Sequence, residues 1–524
     1  MVNREPEQPV HRPVPGNPYA QPPPSTGTER RLGVALAAGA LALALIGVGV
    51  YAVTQGDADG GGNGSREPVA GQTRQSPDGG RESAGSDRDG DAKDDGQAAV
   101  IDVNAGRKPG EAKAWLAMND IELPGKGAQL LDLWHVPGIV AQAEYDEVTG
   151  YRTDDGSKAW SVPVPGTVCD TPVNPTPDGK VVVVYTKRKS ERNTECDQLR
   201  MIDLKTGKKG WHKELVDHGF WDDTSMTHVS ITGSTVMVDQ SATMRAYRIG
   251  DGKRLFTTER ERKGGCSLDG VAGGSRLLQV ESCAPGSPGT HGRLKRLDPR
   301  TGDVKWNYRT KKGWNIRKVY SVDPAVVAVQ NREEMEKWAV VAVDDKGRQR
   351  SWISADKGPH AFEMCAGAGD SGEGVQNCPG AAVVADTFYL ASEPKDGVLG
   401  PNKIVAFDLR TGKPKWTGAV EGGRQITPVA VAPGSSGADR PGVIAYARAQ
   451  DGKSGQTVRF GRGGGKPDVL LRHTSSAQEM EAAMFAGNTL YADGRFFVTP
   501  TRLDGKAHGG KGEEGNARML AFAR

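Results

Sequence analysis

The 524-residue chain has few aromatic side chains and almost no net charge. Phe, Trp and Tyr make up 6% of the residues, and Lys plus Arg outnumber Asp plus Glu by only 68 to 65. Proteins that bind nucleic acid carry a clear basic excess, so this balance gives no indication of a nucleic-acid partner. The chain also lacks any C-x-x-C or H-x-x-x-H pattern, and a zinc site of closely spaced ligands is therefore not expected.

Glycine is abundant, with 71 residues, and many of these glycines belong to a recurring phrase. In the phrase an apolar run ends at an aspartate, a Thr-Gly pair follows, and a tryptophan closes it. The aspartate side chain can accept a hydrogen bond from a backbone N–H group of the turn, and the glycine can adopt the positive φ that a tight turn needs. These two features predict a tight hairpin between two strands. The three clear copies contain Asp203, Gly207 and Trp211, then Asp298, Gly302 and Trp306, and then Asp408, Gly412 and Trp416.

Weaker copies of the phrase place its closing residue at intervals of about 45 to 65 residues along most of the chain. A large aromatic at a fixed place in each unit can fill the gap between neighbouring units. We therefore interpret the chain as a repeat protein. The additional closing residues are Trp115, Trp160, Phe256, Trp352 and, in a degenerate copy, Leu470.

The strand pattern within a unit predicts a β-propeller. Four short alternating runs separated by turn residues occupy residues 228–259, and four antiparallel strands per unit are typical of a blade. The last unit, residues 490–522, has only three strands, whereas residues 112–116 look like a fourth strand without predecessors. We expect that N-terminal strand to close the ring. The eight closing residues indicate eight blades, or seven blades if residues 457–471 are an insertion.

The first 97 residues predict an anchor and a tether. Residues 1–31 form a Pro-rich disordered tail, residues 32–53 an uncharged apolar run long enough to span a bilayer as a helix, and residues 54–97 a Gly/Asp/Ser-rich flexible linker. Arg30 and Arg31 precede the apolar run, so the positive-inside rule predicts a cytoplasmic N-terminus. We expect a single-pass plasma-membrane protein with residues 98–524 extracytoplasmic; a cleaved signal peptide is the alternative.

The six cysteines follow the apolar run and fall as three neighbouring pairs. Oxidation is permitted outside the membrane, so we expect disulfides, with free thiols as the alternative. By the strand pattern each pair lies within one blade. The pairs are Cys169 with Cys196, Cys266 with Cys283, and Cys365 with Cys378.

One further group is a candidate for chemistry. His212, His218 and His228 lie near Asp222 and Asp223 in the sequence, and a proton-transfer or metal site there is the alternative to a solvated inter-blade loop. We expect the solvated loop.

The repeated phrase, over roughly residues 110–524, resembles the repeat of the pyrroloquinoline quinone (PQQ)-like β-propellers. This family contains eight-bladed quinoprotein dehydrogenases that use PQQ with calcium, and non-catalytic members such as a lipoprotein that assists outer-membrane protein insertion. Quinoprotein alcohol dehydrogenases have a disulfide between adjacent cysteines, and they place a carboxylate, an amide and a catalytic aspartate around calcium. No cysteines are adjacent here, and no other motif of those enzymes is recognised in this chain.

The resemblance therefore implies a membrane-anchored, non-catalytic propeller that binds a protein or a cell-envelope component, without cofactor, metal or catalytic residues. The alternative is a PQQ-dependent dehydrogenase that oxidises an alcohol or a sugar. The repeated residues form the blades rather than a binding site. They therefore do not identify the ligand, the binding face or the oligomeric state.

Overall fold

The computed structural model describes residues 101–524 apart from short gaps, and these residues belong to one compact unit, Gln97–Arg524. The predicted tail, membrane helix and linker lie outside the described residues. Within the described part, no helix is both long and apolar enough to span a bilayer. The gaps are 190–194, 216–226, 241–242, 259–264, 357, 366–373, 377, 396, 398–399, 432–441 and 506–515.

The described strands form eight sheets, which we number as blades 1 to 8 in chain order. Blade 1 contains β2 (Ala128–Val136), β3 (Ile139–Glu144), β4 (Glu147–Arg152) and β5 (Lys158–Pro163), blade 2 contains β6 (Val168–Asp170), β7 (Lys180–Tyr185), β8 (Gln198–Asp203) and β9 (Lys208–Glu214), blade 3 contains β10 (Thr227–Thr232), β11 (Thr235–Gln240), β12 (Thr243–Arg248) and β13 (Arg254–Thr258), and blade 4 contains β14 (Cys266–Ala272), β15 (Leu277–Cys283), β16 (His291–Leu297) and β17 (Val304–Arg309).

The second half repeats this arrangement. Blade 5 contains β18 (Trp314–Val322), β19 (Ala325–Asn331), β20 (Trp338–Val343) and β21 (Gln349–Ser354), blade 6 contains β22 (Ala381–Val384), β23 (Thr387–Ala391), β24 (Ile404–Asp408) and β25 (Pro414–Gly418), blade 7 contains β26 (Ile426–Pro428), β28 (Gly442–Ala447), β29 (Gln456–Gly461) and β30 (Asp468–Arg472), and blade 8 contains β31 (Thr489–Ala492), β32 (Arg495–Val498), β34 (Ala517–Ala523) and β1 (Lys113–Met118). Two short strands, β27 (Ala430–Val431) and β33 (Arg502–Leu503), extend blades 8 and 1, and a short helix, α1 (Gln478–Ala483), follows a 3-10 turn, Ser475–Ala477, between blades 7 and 8.

The second strand of a blade packs against both neighbouring blades, which explains its continuous apolar sequence. In β19, Val327 and Val329 join the core between blades 4 and 5, whereas Val326 and Ala328 join the core between blades 5 and 6. Because successive strand side chains point to opposite faces, a strand covered on both faces favours apolar residues along its whole length. The outer strand β17 is covered less, and exposed and buried residues alternate along most of it.

The N-terminal strand closes the ring as predicted. Strand β1 pairs antiparallel with β34, from Lys113 opposite Ala523 to Met118 opposite Ala517. It supplies the fourth strand of blade 8, whose other three main strands come from the end of the chain. The count of eight blades is confirmed, because the segment 457–471 forms the two outer strands of blade 7 rather than an insertion.

The closing aromatics fill the gaps between blades at six positions. In each case the aromatic residue of one blade lies beside a turn glycine of the next blade. At five of these glycines a Cβ atom would collide with the ring, and at Gly347 it would collide with the carbonyl oxygen of Asn307 and crowd Trp306. These glycines adopt a positive φ, so both the turn and the contact favour glycine. The pairs are Trp115 with Gly156, Trp160 with Gly207, Trp211 with Gly252, Phe256 with Gly302, Trp306 with Gly347, and Trp416 with Gly464.

Trp352 is an exception, and its predicted place in the gap between blades 5 and 6 is wrong. The side chain beside Gly412 is that of Ser351, whose hydroxyl donates to the carbonyl oxygen of Leu409 at 2.8 Å, and only the backbone of Trp352 approaches this glycine. Trp352 follows Gly347 by five residues, whereas the other closing aromatics from Trp160 to Trp416 follow their glycines by four. The extra residue reverses the side-chain direction, because successive side chains of a strand alternate between its faces. Trp352 therefore packs on the side of blade 4.

The six cysteines form the three pairs that their order in the sequence suggests. Two disulfides lie within a blade, but the third closes the connection between β21 and β22 and lies outside the sheets, so the prediction of one blade for each pair is wrong there. The bonds join Cys169 with Cys196, Cys266 with Cys283, and Cys365 with Cys378.

Candidate functional site

The inner strands of the blades surround an axial cavity of about 1720 Å³. Each blade contributes to its wall, from Leu130 and Asp132 of blade 1 to Thr489 of blade 8. Most of the wall is built from aliphatic and small polar side chains. The cavity is larger than a typical small-molecule pocket and is open enough to admit part of another molecule.

Three neighbouring blades bring carboxylates together beside the cavity, and Asp132 and Asp170 line its wall. Asp132 lies on β2, Asp170 ends β6, and Asp239 lies on β11 directly opposite His228 of β10. Paired residues of an antiparallel sheet place their side chains on the same face, so Asp239 and His228 are neighbours. We call Asp132, Asp170, Asp239 and His228, with Thr171, the acidic cluster.

Hydrogen bonds fix two members of the acidic cluster across the blade boundaries. The Thr171 hydroxyl of blade 2 donates to Oδ2 of Asp132 in blade 1 at 2.9 Å. The backbone N–H of Val229 in blade 3 donates to Oδ2 of Asp170 at 2.6 Å. The Nδ1 atom of His228 lies 3.8 Å from Oδ1 of Asp170. The cluster therefore depends on the relative positions of three blades.

Burial changes the protonation of two of these carboxyl groups. It raises the pKa of Asp132 to about 7, an effect that the Thr171 hydrogen bond opposes and the nearby Asp170 charge reinforces. Burial also raises the pKa of Asp239 to about 7, with His228 opposing and Asp170 again reinforcing the shift. Both carboxyl groups therefore lose their protons near neutral pH. Perturbed pKa values of this kind are concentrated at functional sites.

Asp239 is the least satisfied member of the cluster. Its side chain is 5% exposed, and its Oδ1 atom has no hydrogen-bond partner among the described residues. A buried carboxylate oxygen without a donor costs free energy, and such a group is retained where it has a role.

The cavity does not fit PQQ with calcium. A planar quinone would need an aromatic surface, and Tyr320 is the only phenyl-type or indole ring in the wall that the structure describes. Its hydroxyl donates to the carbonyl oxygen of Met364 at 2.8 Å. Within the described residues, the one group of three cysteine, histidine or carboxylate ligands close enough to share a metal ion is Cys266, Glu281 and Cys283, and its cysteines are disulfide-bonded.

The histidines that are close in sequence are separated in the structure. His212 lies on β9, where its Nε2 atom is 2.7 Å from Oε1 of Gln198, whereas His228 belongs to the acidic cluster. His218, Asp222 and Asp223 lie outside the described residues. Of these three histidines, the structure places His228 in the acidic cluster and His212 outside it.

Sequence reasoning missed the three aspartates. Each is a single acidic residue in an apolar strand or at the end of one, as in the runs Leu130–Trp134 and Thr235–Gln240. Such a residue interrupts the strand's apolar pattern, which is a detectable signal. That signal does not reveal that the three lie together, because they come from three blades.

The fold and the cavity define an eight-bladed propeller of the PQQ-like type. The family model described as outer membrane protein assembly factor BamB matches residues 137–261 and 240–465, which together span more than half of the chain. The chain belongs to this family of PQQ-like β-propellers. A search of the curated proteins gives no match.

Two solved structures are similar to this chain. BamB from Moraxella catarrhalis is 15% identical, with a TM-score of 0.43, over 78% of this chain and 100% of that one. A quinohemoprotein alcohol dehydrogenase from Pseudomonas putida HK5 is 13% identical, with a TM-score of 0.42, over 79% of this chain and 76% of that one. At these TM-scores the two likenesses carry no information about activity.

Proposed function

We propose that this protein is a membrane-anchored, extracytoplasmic propeller that binds a protein or cell-envelope ligand without catalysis, and that the acidic cluster holds the ligand. The observation that carries the proposal is the convergence of three carboxylates beside one cavity, with Asp132, Asp170 and His228 in its wall and Asp239 buried next to His228. The family membership supports a binding role, because the matching model is described as an assembly factor.

The chemistry of the cluster favours a cationic group on the ligand. Carboxylates accept hydrogen bonds from ammonium and guanidinium groups, and such charge-assisted bonds are among the strongest in proteins. The carboxylates of Asp132 and Asp170, which line the cavity, would accept from a lysine or arginine side chain of a partner protein, and Asp239 adds negative charge beside Asp170. We therefore assign the cluster to a basic segment of a partner.

The anchor and the location belong to the same proposal. Residues 32–53 would cross the plasma membrane, with the N-terminus in the cytoplasm. The three disulfides support an oxidising compartment for the propeller, since such bonds seldom persist in the cytosol. Alkaline phosphatase fused after residue 97 should be active, and an inactive fusion of full length would contradict this topology.

A defined cationic probe tests the binding role. Hexalysine, titrated calorimetrically into the detergent-solubilised chain, should bind, and Asp170→Asn should weaken that binding by about tenfold because a charged acceptor is lost. Asp132 and Asp239 lose protons as the pH rises through about 7, so the site gains negative charge. Binding should therefore be tighter at about pH 8 than at about pH 6.

The matched control is Glu333→Gln, which removes an exposed carboxylate in the turn after β19, outside the cavity wall. This variant should bind hexalysine as the parent does. Equal weakening by both substitutions, or binding that weakens as the pH rises, would contradict the proposal. Reduction of an artificial dye by the chain with PQQ, calcium and an alcohol or sugar would favour the dehydrogenase alternative instead.

A further inference from the structure

The displaced tryptophan of blade 5 builds a second pocket, away from the axial cavity. Trp352 meets Trp314, the first residue of β18, with ring centroids 4.9 Å apart in an edge-to-face arrangement. Both rings are half-buried, and together with Ser354 they line a cavity of about 420 Å³. Trp352 is available for this pocket because the Ser351 side chain, not the Trp352 ring, lies in the gap between blades 5 and 6.

Cationic groups surround the two indole rings. The Lys311 ammonium lies 4.2 Å from the centroid of the Trp352 ring, within the range of a cation–π interaction. Lys337, which is paired with Glu334, and Asp356 complete the lining. The pocket therefore combines two aromatic surfaces, two ammonium groups, one hydroxyl and one carboxylate on an accessible part of the protein.

We propose that this pocket binds an anionic saccharide, an interaction that goes beyond the function proposed for the acidic cluster. A sugar ring presents a face of C–H groups that packs on an indole, as flat apolar surfaces pack on aromatic rings. Its hydroxyl groups donate to and accept from Ser354 and Asp356, and its carboxylate pairs with Lys311. The volume lies within the range of pockets that hold small ligands.

The charge of the pocket decides between ligand types. A neutral sugar would leave the Lys311 ammonium with only the Trp352 ring among the described residues, and a cationic ligand would be repelled by Lys311, because Glu334 balances the charge of Lys337. An acidic peptide would satisfy the ammonium groups, but it has fewer hydroxyl groups for Ser354 and Asp356. An acidic sugar uses every kind of group in the lining.

Calorimetric titration of the detergent-solubilised full chain with tetragalacturonate tests this site. The probe should bind, and Lys311→Ala should weaken binding by about tenfold through loss of the charge-assisted bond. Lys312→Ala is the matched control, since Lys312 is an exposed neighbour that does not line the pocket, and it should leave the affinity unchanged. Trp314→Ala, titrated at a temperature well below its own unfolding midpoint, should also weaken binding.

Three results would overturn the proposal. Maltotetraose, a neutral saccharide, could bind as tightly as tetragalacturonate; Lys312→Ala could weaken binding as much as Lys311→Ala; or hexaglutamate could bind more tightly than the saccharide. Hexalysine binding to the same variants reports separately on the acidic cluster. It should be unchanged in Lys311→Ala and Trp314→Ala, so the two sites are distinguishable.

Discussion

Replacement of Trp115 by alanine should lower the free energy of unfolding by about 3–5 kcal/mol, the usual cost of removing a buried tryptophan ring. Trp115 is 9% exposed and fills the space beside Gly156 of blade 1. Its indole N–H donates to the carbonyl oxygen of Thr153 at 3.0 Å, and its ring lies 6.0 Å from that of Phe497. The substitution would open a cavity at the boundary where the ring closes.

Trp352→Ala is the matched comparison, because it removes the same side chain from a half-exposed position outside the gap. Its cost should be at most about half as large, since less of its surface is buried in the parent. Urea unfolding followed by far-UV circular dichroism measures both variants without relying on tryptophan fluorescence. Equal costs for the two substitutions would contradict the role assigned to the closing aromatics.

Replacement of Arg518 by alanine should also cost about 3–5 kcal/mol, because it leaves buried carboxylates without their counter-ion. Arg518 and Glu144 are fully buried, with Nη1 of the arginine 3.2 Å from Oε2 of the glutamate. Glu147 lies 3.9 Å from the same Nη1 atom. This network joins β34 of blade 8 to β3 and β4 of blade 1, next to the N-terminal strand.

The pH dependence of this loss identifies its cause. Burial raises the pKa of Glu144 to about 7, with the Arg518 charge opposing the shift. A carboxyl group with a raised folded-state pKa stabilises the fold fully below its unfolded-state pKa, and this stability is lost as the pH rises through about 7. Without Arg518 the pKa rises further, so the deficit of Arg518→Ala should be larger at about pH 8 than at about pH 5.

A second substitution tests the same assignment. Glu144→Gln should restore part of the stability of Arg518→Ala at about pH 8, because it removes one uncompensated charge. Urea unfolding midpoints at the two pH values measure this rescue. A deficit that does not change with pH, combined with no rescue by Glu144→Gln, would show that the arginine acts only by packing.

The repeat could be predicted from the sequence because its signals are local. The aspartate, the glycine and the tryptophan of a copy such as Asp298 to Trp306 form one hairpin, and six of the aromatics take their predicted places. Ring closure was also predictable, since a three-stranded last unit and an isolated first strand leave two unpaired edges. These features depend on neighbouring residues or on the two ends of the chain.

The exception at Trp352 shows which spacing matters. Measured from the aspartate, Trp352 has the spacing of Trp306, but measured from the glycine it is one residue further along. Side-chain direction depends on the position after the turn, so the distance from Gly347 decides the face. Counting from the glycine would have placed Ser351 in the gap. The physical reason is that the turn from Asp344 to Gly347 is one residue shorter than the turn from Asp298 to Gly302.

The acidic cluster could not be predicted in the same way. Asp132, Asp170 and Asp239 belong to different blades, and none lies in the repeated phrase. Their proximity follows from the angle between blades, which sequence spacing does not encode. The raised pKa values likewise arise from burial by several strands at once.

Hydrogen exchange of the backbone amides of β1 tests the central claim, a ring closed by the N-terminal strand, most directly. Strand β1 pairs with β34 along its whole length, so alternate amides from Lys113 to Met118 should be as strongly protected as those of Ala517–Ala523. Mass spectrometry of the exchanged full chain resolves both segments. Exchange of the first segment at the rate of an unstructured peptide, while the second stays protected, would contradict closure of the ring.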